Sequence, residues 1–353
     1  MQLRALRVWG ALLLTALVAG QAMTADAATS THRRTNDPAT ATASAHVAKK
    51  APARRTLAAS TTTHASVART TTHAGAKHAV ATRRPKSRRH RALAPPRGGV
   101  YARNAVIIDP ATDEVLFEKM SLQTVPIASL TKLMSAMVFL EQKPDLRRMA
   151  EVTRAEIRGG GHTRLWNRER VALYDLLHMS LMNSDNVATR VLARESGLSP
   201  EEFVARMNQK ARAMGLANTR FAEPTGLDER NVSTAVDVAR LLRAAAGHYL
   251  IREITTTPDY VFLGEYPGRK RTIARTHQIV NTNRLLRSNR YEFSCSKTGF
   301  ISESGYCVAT WVRDRGRDLI AVVLGAPTNA TRFADVVRLV QRTHTPSLEP
   351  VQP

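Results

Sequence analysis

From Val100 onward the chain alternates between two hydrophobic rhythms. The short runs "NAVIIDP" and "EVLFEK", joined by the turn-rich "DPATD", predict a β-hairpin. Pro126 then precedes "IASLTKLMSAMV", apolar at helical spacing, which predicts a helix beginning near Ser129. "LYDLLHMSLMNSDNVATRVLARES" predicts two apolar helices parted by the polar break "NSDN". In "SPEEFVARMNQKARAMG", Ser199 is placed as N-cap, Pro200 at the first helical position, Glu202 as the capping-box partner and Gly215 as the stop. "STAVDVARLLRAAAG" repeats that pattern from Ser233 to Gly247. "YEFSCSKTG", "GYCVATWV" and "DLIAVVLGA" are three β-type runs, the last two joined around Gly316, and "ATRFADVVRLVQR" closes the series as a helix. Strand pair, helical block, three strands and a helix predict an α/β (α+β) domain over residues 99–343, an antiparallel sheet flanked by helices, with a plain tail at 344–353.

Composition changes the picture before that domain begins. The 353-residue chain has a formal net charge of +23, and residues 28–97 carry +14 of it, 15 Lys/Arg against the single acid Asp37. Residues 28–98 are rich in Ala, Thr, Arg and His and poor in large apolar side chains, so they cannot bury enough surface to offset their ordering entropy. They are expected to be a disordered basic linker, a possible contact for anionic envelope polymers. Its six histidines have no fixed spacing, and no metal or other cofactor is expected. With the charge in a tail and not on a folded face, nucleic acid is not an expected partner. Ahead of the linker, the basic "MQLRALR", the apolar "VWGALLLTALVAG" and the small-x-small "ADA" read as a cleavable signal peptide over residues 1–27, which implies export to the periplasm.

Three short motifs carry the candidate chemistry. Ser129-Leu130-Thr131-Lys132 places a lysine amine three residues after a serine hydroxyl, on one helical face. A serine is a weak nucleophile until a neighbouring base takes its proton, and a buried lysine can be that base. Ser184-Asp185-Asn186, between two helices, offers a hydroxyl and an amide to a cleft, though all three residues are also ordinary helix caps. Lys297-Thr298-Gly299, in a β-type run, offers a cation, a hydroxyl and room for close backbone approach along a strand that an extended peptide can pair with. Each motif alone is weak.

Together and in this order they resemble the low-molecular-weight penicillin-binding proteins, the D-alanyl-D-alanine carboxypeptidases and endopeptidases. "LLHMSLMNSDN", "NTRFAEPTGLDERNVSTA" and "SKTGFISESGYC" are most similar to the endopeptidase subgroup. The resemblance covers about residues 102–342. It implies a β-lactamase/transpeptidase-like fold with an inserted helical subdomain. It also implies an acyl-enzyme on Ser129, with Lys132 as base, Ser184 as proton relay and Asn186 holding Lys132 and substrate. Lys297, Thr298, Gly299 and Phe300 would bind substrate, the last through its backbone N–H. Peptidoglycan stem peptides and cross-links are the implied substrates, and β-lactams the implied covalent inhibitors.

Other readings stay open at this stage. Many carboxypeptidases of the family carry a further β-rich domain and an amphipathic anchor, and the short stretch after Gly299 favours the endopeptidase. A class A β-lactamase needs Glu-x-x-x-Asn to activate the deacylating water, and "EPTGL" places Leu227 at the amide position. A non-catalytic wall-binding protein is the third alternative. Finally, a hairpin centred near Ile301 would set Cys295 opposite Cys307, as a cross-strand disulfide or as two buried thiols.

Overall fold

The structure, a computed structural model, describes residues 99–344. The expected signal peptide, basic linker and closing tail lie outside the described residues, apart from His344, the first residue of the tail.

β1 (Asn104–Ile108) and β2 (Val115–Lys119) form the expected hairpin. β3 (Val125–Pro126) leads into a 3-10 turn, Ala128–Thr131, which α1 (Lys132–Glu141) continues. The helical block contains β4 (Met149–Glu151), α2 (Arg154–Ile157), β5 (Arg170–Ala172), α3 (Leu173–Leu181), α4 (Asn186–Glu195) and α5 (Pro200–Ala213). β6 (Val232–Ser233), α6 (Ala235–Ala246), α7 (Tyr249–Thr256) and the long hairpin β7 (Asp259–Pro267) and β8 (Thr272–Val280) follow. β9 (Glu292–Ile301), β10 (Gly305–Asp314), β11 (Arg317–Ala326) and α8 (Asn329–Arg342) complete the domain.

The main sheet is antiparallel, in the order β2-β1-β11-β10-β9, so β9 is an edge strand. Its two faces are separated by the period-2 alternation of β1 and β11. Ala105, Ile107, Ala321 and Val323 join Phe333, Val336 and Leu339 of α8 in one core. Val106, Ile108, Ile320 and Val322 join the other core, which contains α1 and α6. Helices therefore cover both faces, as the sequence order required. α1 is buried from Lys132 to Phe139, which explains why it is apolar all round.

Four expectations need correction. Ser129 lies in the 3-10 turn and not in the first turn of the α-helix. The sequence at 233 is a strand end: Thr234 is the N-cap of α6, its hydroxyl accepting from Asp237 N. The single predicted sheet is accompanied by a second one of four strands, β4-β5-β7-β8. Its long hairpin leaves one face exposed, with Val261 and Leu263 beside Gln278 and Thr276, so no clean alternation marks it.

The fourth correction is the disulfide. The β9–β10 loop is Ser302-Glu303-Ser304, with Ile301 paired to Gly305, so its centre lies two residues beyond Ile301. Cys307 therefore opposes Gly299, and Cys295 opposes Trp311. Both cysteines are free, buried thiols, and burial raises the pKa of each. The local signals held elsewhere. Ser199 and Glu202 form a reciprocal capping box on α5, and Arg315-Gly316, both at positive φ, make the tight β10–β11 turn. Among the described residues no helix is long and apolar enough to cross a membrane.

Candidate active site

The site forms where the 3-10 turn, the α3–α4 break and the edge strand β9 converge. A 3-10 turn eclipses residues i and i+3, which brings Lys132 over Ser129. Lys132 Nζ is 2.9 Å from Ser129 Oγ. The turn is entered through Ala128 in the left-handed region at φ 47°, a conformation that a non-glycine residue holds only under tertiary constraint. That constraint is visible in two glycines. A Cβ at Gly226 would stand 2.0 Å from Ala128 O, and one at Gly299 would stand 3.0 Å from Ser129 N. Both neighbours must be glycine for the 222–226 loop and β9 to close on the turn. The room at Gly299 expected from the sequence is filled by the Ser129 turn itself.

Lys132 is fully buried, with two further partners, Asn186 Oδ1 at 2.7 Å and Thr225 O at 2.5 Å. Asn186 Nδ2 donates to Gly160 O at 3.0 Å, which fixes the amide so that its oxygen faces the lysine. Asn186 Oδ1 and Thr225 O can only accept. A neutral amine satisfies them with its two N–H bonds and turns its lone pair to Ser129 Oγ. Desolvation brings the Lys132 pKa down to about 7, against the opposing pull of the Glu223 and Asp185 carboxylates. Lys132 is thus held against Ser129 Oγ, and burial favours its neutral form.

Lys297, also buried, donates to Ser184 Oγ at 2.9 Å and to Thr298 O at 3.0 Å. Its pKa is lowered too, first by desolvation and then by the Lys132 and Arg332 cations. Ser184 sits in the left-handed region at φ 65°, and Asp185 behind it caps α4, accepting from Ala188 N at 2.9 Å. The motif thus supplies a helix cap at Asp185 and, on adjacent Ser184, a hydroxyl bonded to Lys297. Thr298 Oγ1 is 2.6 Å from Thr282 Oγ1, which donates to Met182 O at 3.0 Å. Phe300 follows Gly299 on the edge strand, half-exposed, its ring stacked on Tyr306.

All eight proposed site residues thus fall on the three converging segments, while Cys295 and Cys307 lie beneath them in the core. Sequence reasoning missed Gly160, Thr225, Thr282 and Arg332. The first two act through carbonyl oxygens, which no residue type reveals. Buried Arg332 of α8 donates to Gly299 O at 3.1 Å and Cys307 O at 3.2 Å, holding β9 from behind. Glu223 is a loop brace: its carboxylate accepts from Thr225 N at 2.7 Å, Thr225 Oγ1 at 2.6 Å, Asn231 Nδ2 at 2.7 Å and Gly226 N. Among the described residues no cluster of His, Cys, Asp or Glu could hold a metal ion.

A serine with a neutral lysine, flanked by a second lysine–serine pair whose lysine stands on an edge strand, defines a serine acyl-transfer hydrolase of the penicillin-recognising fold. Residues 90–328 match the model of the peptidase S11 family, D-alanyl-D-alanine carboxypeptidase, and the chain belongs to that family of serine D-Ala-D-Ala peptidases. It is 35% identical over 256 residues to a D-alanyl-D-alanine endopeptidase of Pseudomonas aeruginosa, covering 70% of this chain and 81% of the relative. An endopeptidase of Escherichia coli is 32% identical over 250 residues, covering 70% and 79%. The fold is that of the Streptomyces K15 DD-transpeptidase, with a TM-score of 0.65 at 24% identity, over 69% of this chain and 97% of that one. Penicillin-binding protein D2 of Listeria monocytogenes, solved in an ampicillin-bound form, aligns with a TM-score of 0.57 at 27% identity, over 70% and 98%.

Proposed function

We propose that this protein is a D-alanyl-D-alanine endopeptidase that hydrolyses peptide cross-links of peptidoglycan in the periplasm. The observation that carries the chemistry is the buried Lys132 amine, 2.9 Å from Ser129 Oγ with its pKa brought down to about 7. Ser129 Oγ attacks the carbonyl of the D-Ala peptide bond while its proton passes to neutral Lys132. The oxyanion is held by the backbone N–H groups of Ser129 and Phe300. Lys297 and Ser184 deliver a proton to the departing amine, and the C–N bond breaks to leave the Ser129 ester. Thr298 positions the substrate along β9, whose free edge can pair with an extended peptide. Water then cleaves the ester and restores Ser129.

The endopeptidase assignment rests on the endopeptidases among the relatives at 32–35% identity; carboxypeptidases of the same family share the chemistry. With a β-lactam the same attack opens the ring and leaves an ester. Glu223 cannot activate water against that ester because both of its oxygens brace the 222–226 loop, so the adduct should persist. Incubation of the mature chain with cross-linked muropeptide dimers, followed by mass analysis, tests the reading. Monomeric products support it, loss of only a terminal D-Ala assigns a carboxypeptidase, and Ser129→Ala must abolish either product. Export is checked by N-terminal sequencing of the periplasmic fraction, where a mature start near Thr29 or Ala28 is expected.

A further inference from the structure

At the outer part of the four-stranded sheet, a buried ionic cluster props up an exposed ring. Glu169 is fully buried. Its Oε1 meets His277 Nε2 at 2.6 Å, and its Oε2 accepts from Trp166 N at 2.9 Å and from the Arg275 guanidinium. Arg275 in turn lies flat against the Trp166 indole, 3.3 Å from the ring centroid, and Tyr266 meets that ring edge-on at 5.4 Å. β7 carries Gly264 where the carboxylate enters, since a Cβ there would stand 2.5 Å from Glu169 Oε1. The Trp166–Glu169 segment is closed as a tight turn by Glu169 N donating to Trp166 O at 3.1 Å.

A buried carboxylate is costly unless every lone pair is used, and this one is used to fix a side chain that remains 53% exposed. Scattered exposed apolar residues are ordinary. An indole clamped by a stacked guanidinium, with its backbone tied to the same buried acid, is a rigid surface offered to solvent. The segments that carry Trp166 and its Tyr266 neighbour also carry exposed cations: Arg164 and Arg168 on its own loop, and Arg269, Lys270 and Arg271 at the β7–β8 turn. The nearby acid Glu265 is already paired with Arg170, 3.1 Å away.

We propose that Trp166 is a stacking platform for the sugar rings of a peptidoglycan glycan strand, with the basic rim taking the carboxylates of its stem peptides. The proposal rests on the substrate class given above. A pyranose presents a face of C–H bonds that packs on the electron-rich face of an indole, while carboxylates seek guanidinium and ammonium groups. A short stretch of chain ties the platform to the site. Trp166 belongs to the loop whose Gly160 carbonyl holds Asn186, and six extended residues span at most about 22 Å. A strand resting on Trp166 would be held within that reach of the Gly160–Asn186 contact.

The test is retention of the full mature chain on purified sacculi at about 0.5 M salt, where the screening length is only a few ångström and contacts made by the basic tail are suppressed. Trp166→Ala should lower retention about fivefold, and Trp166→Phe, which keeps a flat ring, should restore most of it. Glycan strands stripped of peptide should compete with sacculi for the wild-type chain. Acylation by labelled penicillin, which carries no glycan, should be kept in both variants. Unchanged retention in Trp166→Ala overturns the proposal, as does a parallel fall in penicillin acylation, which would mean the residue acts only through the loop. Competition by DNA but not by peptide-free glycan also overturns it, and assigns a general polyanion surface. A wild-type chain that takes no penicillin refutes the catalytic reading instead, and leaves the retention measurement standing.

Discussion

Lowering the pH from 8 to 6 should slow acylation of Ser129 about tenfold, because the attacking step needs neutral Lys132. An ordinary lysine with a pKa near 10.4 is neutral in only about one molecule in 2,500 at pH 7. Burial brings Lys132 to about 7, so roughly half is neutral there, a gain of about three decades in available base. The sign follows directly: protonation on the acid side removes the base, so the second-order rate constant rises with pH and levels off above the pKa. The assay is stopped-flow or gel-based acylation by a fluorescent penicillin between pH 5.5 and 9, with the β-lactam itself stable over that range. Lys132→Ala should lower the rate by about two to four decades and remove the inflection. Lys132→Arg, always protonated, should be as slow. A flat wild-type profile between pH 6 and 8, or unchanged acylation in Lys132→Ala, would refute the assignment of the base.

Gly226→Ala should abolish acylation, since its Cβ would drive into Ala128 O and the site is at φ +85°; a folded variant acylating at the wild-type rate would show that the turn is not held by this contact. Thiol titration of the denatured, unreduced protein should find two thiols, Cys295 and Cys307, and prior reduction should leave acylation unchanged. Deleting residues 28–98 should leave hydrolysis of small muropeptides intact and weaken binding to sacculi, more visibly at low salt than at high; equal binding at low salt would reduce that segment to a spacer.

The parts of this molecule that the sequence disclosed are those determined within a few residues. Ser199 and Glu202 form their capping box because both ends of the interaction lie in one turn. The three motifs that meet around Ser129 were legible because hydroxyls, amines and amides announce their chemistry by residue type. What supports the trio was not. Thr225 and Gly160 contribute carbonyl oxygens, and those are placed by the tertiary path of their loops. The β9–β10 pairing was misplaced because its register is set by a three-residue loop, and a shift of its centre by two residues moves every opposing pair by four. The second sheet was unread because β4 and β5 are three residues each and β8 exposes Thr272, Ile273 and Ala274 in succession, so neither length nor alternation signals a strand.

The two buried lysines also bear on stability. Between pH 7 and pH 10.5 the folded chain holds fewer protons at Lys132 than the unfolded chain does, so folding releases protons and native stability climbs with pH across that window. Below it the disadvantage is complete, on the order of 5 kcal/mol for this one side chain, which is comparable to the whole margin of many domains. A Lys132→Met chain, inactive but free of that buried amine, should melt at a higher temperature than the wild type at pH 6, with the difference shrinking toward pH 10. The hydrolase is in this sense least at ease in acid, where its base is protonated and its core carries the charge.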